Sequence, residues 1–424
     1  MRICIISPLP LFPNSSGATA RITSIIKYFA EKGHEVFVVL PYFYEGTEVQ
    51  YQKLGFQLKI NFFKMLSVSI PLPSEKTTNS LWAFLRKIRA LLPFNVVTFS
   101  PSNIVQLYFA AKGWRPDVII SEFDGSWLVG YVLGKLLDVP LIIDKHNVET
   151  VQYYRTLKRG NSQIGLIDRL KTRVVWFLEL LVWRKSSGAV AVSEHDLSVA
   201  KKMFGPKKNL AVVSNGISSK EIGKYQHSKQ IREWLRVPFD CKIMVFHGLG
   251  TYWPNVDARQ RIIEKILPLT KKLSKNMDVY AVIVGPGNAP SNTIQCSDHV
   301  RIVGEVSKSK LYEILAISDV AVVPLRSGSG TRLKILDYFG LLVPVVATTL
   351  AVEGLPVKDR VELLIRNDDK EIAKAVSELF LDTALCQRLT ESAFSLVTKK
   401  FDWESVLQPL EELTCQLALA NAKL

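Results

Sequence analysis

The chain is short of everything that would build a covalent or metal-held scaffold. Its five cysteines, Cys4, Cys241, Cys296, Cys386 and Cys415, never fall in C-x-x-C spacing. That argues against both a disulfide framework and a zinc site, and makes a reducing cytosol the simplest home. No G-K-[ST] closes a glycine loop, so there is no P-loop. Neither "RSGSGT" nor "VGPGNAP" completes G-x-G-x-x-G, which disfavours a nicotinamide enzyme. No cluster of acids indicates a metal. Long apolar runs are missing too. "VVWFLELLVW" (Val174–Trp183) is too short to span a bilayer, and Ser126–Ile143 is interrupted by Lys135, Asp138 and Pro140. The apolar run in "MRICIISPLP" is too short for a signal peptide. Acids are scarce relative to bases: 39 Asp+Glu against 54 Lys+Arg give a net charge of +15. Such an excess calls for an anionic partner, whether nucleic acid, phosphorylated small molecule or acidic lipid. The basic residues are dispersed and no nucleic-acid module is recognisable, so nucleic acid is not expected.

What is present is an alternation of buried strands and amphipathic helices across 424 residues, a length that predicts two domains. "RICIIS", "HEVFVVL", "RPDVIIS" and "VPLIIDKHN" read as strands. "ATARITSIIKYFAEKG" and "SWLVGYVLGKLLD" read as helices between them. A polar, irregular stretch follows, and then a second series runs from "KIMVFHG" through "MDVYAVIVGPG", "HVRIVGEV", "DVAVVPL" and "VPVVATT". Strands in this pattern form parallel sheets covered on both faces. The expected architecture is α/β, with two Rossmann-like doubly wound domains facing a central cleft. The expected bounds are 1–214, a linker at 215–241, a second domain at 242–398, and a C-terminal helix at 399–424 packing back toward the first domain.

The stretch "PLRSGSGTRLKILDYFGLLVPVVATT" (Pro324–Thr349) carries the sharpest chemical signal. "DVAVVPL" predicts a strand that delivers "RSGSGT" as a turn at its carboxyl end, where ligands sit in open α/β sheets. Gly328 and Gly330 allow close backbone approach. The helix that follows offers unpaired N–H groups to an anion. Arg332 and Lys334, expected in that helix's first turn, repel its positive end unless they answer more than one negative charge. A diphosphate supplies two. Asp337 lies one turn beyond Lys334 and suits ribose hydroxyls. The alternative is a surface helix after an ordinary tight turn.

With its flanks, this segment resembles the donor-binding region of GT-B glycosyltransferases of family 4, in a branch with a "GSGTRLK" loop. The resemblance takes in most of the chain, through "SSGATARITSIIKYFAEKGHEV", "DKHNVE", "AVSEHD", "VVSNGIS", "FHGLGTYWPNVDA", "VGPG" and "RIVGEVSKSKLYEILAISDVAVVPL". It implies a retaining hexosyltransferase that uses a UDP- or GDP-sugar, with no cofactor beyond that donor and no metal. The acceptor is a glycan or a lipid-linked one, as in cell-envelope glycan synthesis. Leaving-group charge is stabilised by Gly330, Thr331, Arg332 and Lys334. Gly17, Gly248 and Gly285 are implied in the glycine loops of the donor site. His146 and Glu122, at the ends of two strands of the first domain, are implied as catalytic or acceptor contacts. The pattern has departures. The usual E-x7-E becomes Ser329 and Asp337, and Asn255 stands where members carry a cation. A nucleotide-sugar epimerase of the same architecture ranks lower, because those carry several cleft histidines and acids and only six histidines occur in this chain. A basic nucleic-acid-binding protein ranks lowest.

Two basic segments of the first domain bear on where the protein works. "LWAFLRKIRALL" places Leu81, Phe84, Leu85, Ile88, Leu91 and Leu92 on one helical face, with Arg86, Lys87 and Arg89 off it. Arg155–Arg173 adds Lys158, Arg159, Arg169 and Lys171 against the single acid Asp168. Basic amphipathic helices lie on anionic lipid. The expectation is a cytoplasmic protein, peripheral at the inner face of the membrane.

Overall fold

A computed structural model describes residues 1–9, 11, 17–41, 63–68, 101–158, 165–218, 222, 225, 228–328 and 330–422. The chain divides into two compact units. One comprises Met1–Asn14, Ala18–Ser214 and Leu407–Leu424, the other Ser15–Gly17 and Asn215–Val406.

The first unit is built on a seven-stranded sheet. Its strands are β1 (Arg2–Ile6), β2 (Glu35–Pro41), β3 (Phe63–Val68), β4 (Val118–Glu122), β5 (Leu141–Lys145), β6 (Gly188–Ala191) and β7 (Leu210–Val212), in the order β3-β2-β1-β4-β5-β6-β7. Every pairing is parallel. Such a sheet needs cover on both faces, and the sequences comply: β4 and β5 are buried along their whole length. Order reverses between β1 and β4, which makes the carboxyl ends of the central strands the natural place for polar groups. The C-terminal helix Trp403–Asn421 belongs to this unit from Leu407 onward. The Glu411 carboxylate accepts from Tyr28 Oη at 2.7 Å and lies 3.1 Å from His34 Nε2, while Asn421 Nδ2 donates to the Asp138 carbonyl.

The second unit repeats the plan. Its strands are β8 (Lys242–His247), β9 (Val279–Val284), β10 (Ile294–Ser297), β11 (Val300–Val303), β12 (Val320–Val323), β13 (Val345–Ala347) and β14 (Leu364–Ile365), ordered β10-β11-β9-β8-β12-β13-β14. Only the β10–β11 hairpin is antiparallel among these pairings. The reversal of order here lies between β8 and β12. Between β8 and β9 the helix Trp253–Arg261 passes through a π turn, Ile262–Ile266, before continuing as Leu267–Leu273. Pro268 lies just past that turn; a proline cannot donate to the ladder, and the wider turn absorbs the missing bond.

Two expected boundaries move. The stretch 215–241 is not a linker by contacts, since Asn215 already belongs to the second unit. That unit includes a helix, Lys229–Leu235, whose Ile231 and Leu235 are buried in its core. Polar composition hid a two-residue apolar stripe that suffices for one short helix. The division near the C-terminus falls after Val406 rather than 398, because the helix Thr383–Lys400 buries Leu385, Leu389, Ala393 and Val397 on the second unit's core. Residues 81–92, read above as a basic amphipathic helix, lie outside the described residues, as does Arg159. Among the described residues, no helix is long and apolar enough to cross a membrane.

Candidate active site

In the second unit the site is assembled at the carboxyl ends of β9, β8 and β12. Gly248 follows β8 directly and Gly285 follows β9. A Cβ on Gly285 would lie 2.5 Å from the Gly248 carbonyl oxygen, and one on Gly248 would lie 2.7 Å from Asn255 Nδ2 and 2.8 Å from Lys334 Nζ. With φ of +154° at Gly248, only glycine lets the two strand ends and the lysine come this close. Asn288 Nδ2 ties the two loops together by donating to the carbonyls of Gly248 and Gly285, each at 3.0 Å.

Lys334 stands at the centre of this cage. Its ammonium donates to Asn255 Oδ1 at 2.8 Å and lies 4.0 Å from the centre of the Phe246 ring. Asn255 is itself buried and fixed by a bond from Nδ2 to the Leu249 carbonyl. The residue at the family's cation position thus works as an acceptor that aims the cation on the opposite loop. Burial and then the nearby Arg332 pull the Lys334 pKa down to about 7, with Asp337 opposing. A lysine half-discharged at neutral pH has a charge that an anionic ligand restores.

Asp337 lies deeper in the same helix, Leu333–Gly340. Its Oδ1 accepts from Tyr312 Oη at 2.8 Å, and Oδ2 is 3.6 Å from His247 Nε2. Burial raises Asp337 to about 6 against the pull of Tyr312, Lys308 and Lys334, and burial with Lys334 lowers His247 to about 3. The helix begins one residue later than expected. Arg332 is its N-cap, in extended backbone (φ −95°, ψ 97°), and not a first-turn residue. Its guanidinium folds onto its own loop and donates to the Gly330 carbonyl. Thr331 Oγ1 accepts from Asn215 Nδ2 at 2.8 Å. Gly330 takes a φ of +73° in the turn, and Ser329 lies outside the described residues. Asn215 and Tyr312 escaped the sequence reading, although "VVSNGIS" was in view; nothing local marks a residue as the partner of one 116 or 25 positions away.

The first unit gathers a different set at the ends of β4 and β5. Glu122 closes β4 with no side-chain exposure, and its Oε2 lies 2.8 Å from His146 Nε2, just past β5. Phe123 stacks on the His146 ring at 3.8 Å and takes a φ of +62°, a backbone cost borne at the strand end. Beside them Asp144 receives a two-point bond from the fully buried Arg21, Nε and Nη2 each at 3.0 Å; Arg21 Nη1 also donates to the Val213 carbonyl. Burial, reinforced by the Asp144 charge and opposed by Arg21, holds Glu122 well above the usual carboxylate range. Burial likewise drives His146 down to about 3. Burial therefore favours the protonated form of Glu122 and leaves the imidazole neutral near pH 7. Ligand atoms of Glu122, Asp144 and His146 lie within 4.8 Å of one another, spacing that a metal ion would fit. Both Asp144 oxygens are already engaged by the Arg21 guanidinium, which provides the positive charge at this point. Gly17 opens the helix Gly17–Glu31, whose buried face includes Arg21.

A second buried network adjoins the first. Lys145 bonds Asp124 at 2.6 Å and Glu179 at 2.8 Å. Glu179 also accepts from the N–H groups of Glu149 and Thr150 and from Thr150 Oγ1, so it caps the helix Glu149–Leu157. Sequence patterning missed it because Glu179 lies in the middle of an apolar run.

Two Rossmann-type doubly wound sheets, with glycine loops around a half-buried lysine in the second, define the GT-B glycosyltransferase class. Comparison with known proteins agrees. Residues 15–221 match the Glycosyltransferase Family 4 domain and residues 242–382 the Glycosyl transferases group 1 domain. The chain belongs to this glycosyltransferase family. It is 28% identical over 281 residues to the chitobiosyldiphosphodolichol beta-mannosyltransferase of Candida albicans, a match covering 62% of this chain and 60% of that relative's length. Among solved structures it is similar to Anabaena Alr3699/HepE in complex with UDP and glucose (TM-score 0.67, 16% identity, 98% of this chain and 100% of that one). Sucrose-phosphate synthase from Thermosynechococcus elongatus is similar as well (TM-score 0.70, 15% identity, 99% and 100%).

Proposed function

We propose that this chain transfers a glycosyl group from a UDP- or GDP-sugar to a glycan or lipid-linked acceptor, with retention of anomeric configuration. The observation that carries the proposal is Lys334: a half-buried lysine whose ammonium is held by an uncharged amide and an aromatic face, at the strand ends where this fold takes its ligands. A diphosphate completes its charge. Arg332 and the N–H groups that open the helix Leu333–Gly340 add to the field, and Asp337 is the acceptor for ribose hydroxyls. The similarity to a protein in complex with UDP and glucose supports a uridine donor.

The ionisation of two first-unit groups supports the retaining reading. His146, lowered to about 3, is a poor base near neutrality, and burial pushes Glu122 toward its protonated form. The acceptor's proton then passes to an oxygen of the departing diphosphate. The bond from the anomeric carbon to that diphosphate breaks while the acceptor oxygen bonds on the same face. Charge neutralisation on the leaving group is the dominant protein contribution, and Lys334 and Arg332 supply it without a metal.

Thermal-shift measurements with UDP-, GDP- and ADP-sugars test the donor assignment. One series should stabilise the protein, and Lys334→Ala should remove the shift. Stabilisation by none of them, or an unchanged shift in the variant, overturns it. An inverted anomeric signal in the product's NMR spectrum would refute retention alone.

A further inference from the structure

The helix Leu166–Lys185 has two apolar faces where a surface helix normally has one. Its inward side buries Val175, Glu179, Val182 and Trp183. At helical spacing, the outward side presents Leu166, Arg169, Leu170, Arg173, Trp176 and Phe177. Leu166 is 83% exposed, Leu170 58% and Phe177 53%, with Ile167 at the margin. Contiguous exposure of this kind marks an interaction surface.

Charge says what the surface meets. Both acids of the helix, Asp168 and Glu179, fall on the opposite side, and Glu179 is consumed by Lys145. The outward face therefore carries cations only: Arg169 and Arg173, then Arg184 at its end, all exposed. The helix Glu149–Leu157, packed alongside, contributes exposed Tyr154 with Lys158 5.0 Å from its ring. A protein partner would have to offer acids interspersed with apolar pockets. An anionic bilayer offers both at once, phosphates at one depth and acyl chains just below.

We propose that the outward face of Leu166–Lys185 docks the protein on an anionic lipid surface, with Leu166, Leu170, Trp176 and Phe177 entering the acyl boundary while Arg169 and Arg173 pair with headgroup phosphates. This rests on the lipid-linked form of the acceptor reading for its purpose, though not for its geometry. Through Glu179 the same helix anchors Lys145, next along β5 from Asp144, so the docking helix and the polar strand ends form one rigid piece of the first unit.

Flotation of the full-length protein tests this, using phosphatidylcholine vesicles with and without phosphatidylglycerol. Binding is expected only with phosphatidylglycerol, weakening as salt is raised. Arg169→Glu with Arg173→Glu should lower affinity by at least about fivefold for each arginine. Trp176→Ser with Phe177→Ser should abolish binding, while Leu381→Ser, at another exposed leucine, should leave it unchanged. Absence of wild-type binding at low salt overturns the proposal, as does unaltered binding of the Trp176/Phe177 variant. Self-association lost in that variant, without vesicle binding, would assign the face to a second copy and overturn it too. Nucleotide thermal shifts, measured in parallel, show that the variants are folded. Their absence in a wild type that still floats would sink the donor assignment and leave this proposal standing.

Discussion

The two units share a doubly wound plan, apart from the antiparallel hairpin β10–β11 at the edge of the second, and gather opposite excesses of charge. At the β4 and β5 ends, five carboxylates (Glu122, Asp124, Asp144, Glu149 and Glu179) surround two cations, Arg21 and Lys145, and each cation bonds acids directly. At the β8 and β12 ends the central charge is a cation, Lys334, whose hydrogen-bond partner is an uncharged amide. The first arrangement is self-sufficient: each cation bonds acids, and burial pushes Glu122 and Glu149 toward their protonated forms. The second has no carboxylate bonded to its lysine, and burial leaves that lysine only half charged near pH 7. A cation paired with carboxylates builds structure; one held by an amide and a ring is, on the function proposed above, the one that meets a ligand.

The severest way to break this contrast is Arg21→Met, which leaves Asp144 buried without its partner. A loss of about 3–5 kcal/mol is expected in chemical denaturation, largely recovered by adding Asp144→Asn. Gly248→Ala strikes the other unit, where the new methyl would occupy the space between Asn255 and Lys334. Nucleotide affinity by calorimetry should fall about thirtyfold, roughly 2 kcal/mol, with a smaller change in stability. The pH dependence of nucleotide affinity sharpens the comparison further. Below about 6 Asp337 gains a proton and ceases to be a full acceptor. Above about 7 free Lys334 has lost its proton and must regain one on binding, so affinity should drop by up to about tenfold per pH unit. Lys334→Arg should flatten that alkaline limb, since the guanidinium stays charged. The smallest effect belongs to Glu149. Its pKa is raised from 4.5 to about 8, so the folded state holds a proton that the unfolded state lacks across that window, and stability should decline as pH climbs through it. Glu149→Gln should abolish this decline in thermal denaturation.

Much of the candidate site in the second unit was legible because it is local. Lys334, Asp337 and the glycine turn lie within one strand-turn-helix segment, and their spacing alone places them near one strand end. Arg332 was misplaced by one residue, because a helix start before "LKILDYFG" has no capping side chain to mark it. Asn255 read as a lost cation and proves to be the acceptor that holds another one. In the first unit Glu122 and His146 were visible as strand ends. The pair that acts on their ionisation was not: Arg21 and Asp144 are 123 positions apart; nor was the adjoining pair of Lys145 and Glu179, 34 apart.

The order of apolar and polar residues, read alone, determined two parallel sheets, their helices, and the glycine turns that interrupt them, because each depends on neighbours within a few residues. Which amino acids carry a charge was a different matter. That was decided only when folding removed water from Glu122, His146 and Lys334 and set distant groups a few ångströms away. Desolvation and Coulomb interaction act through space, and no linear spacing encodes them.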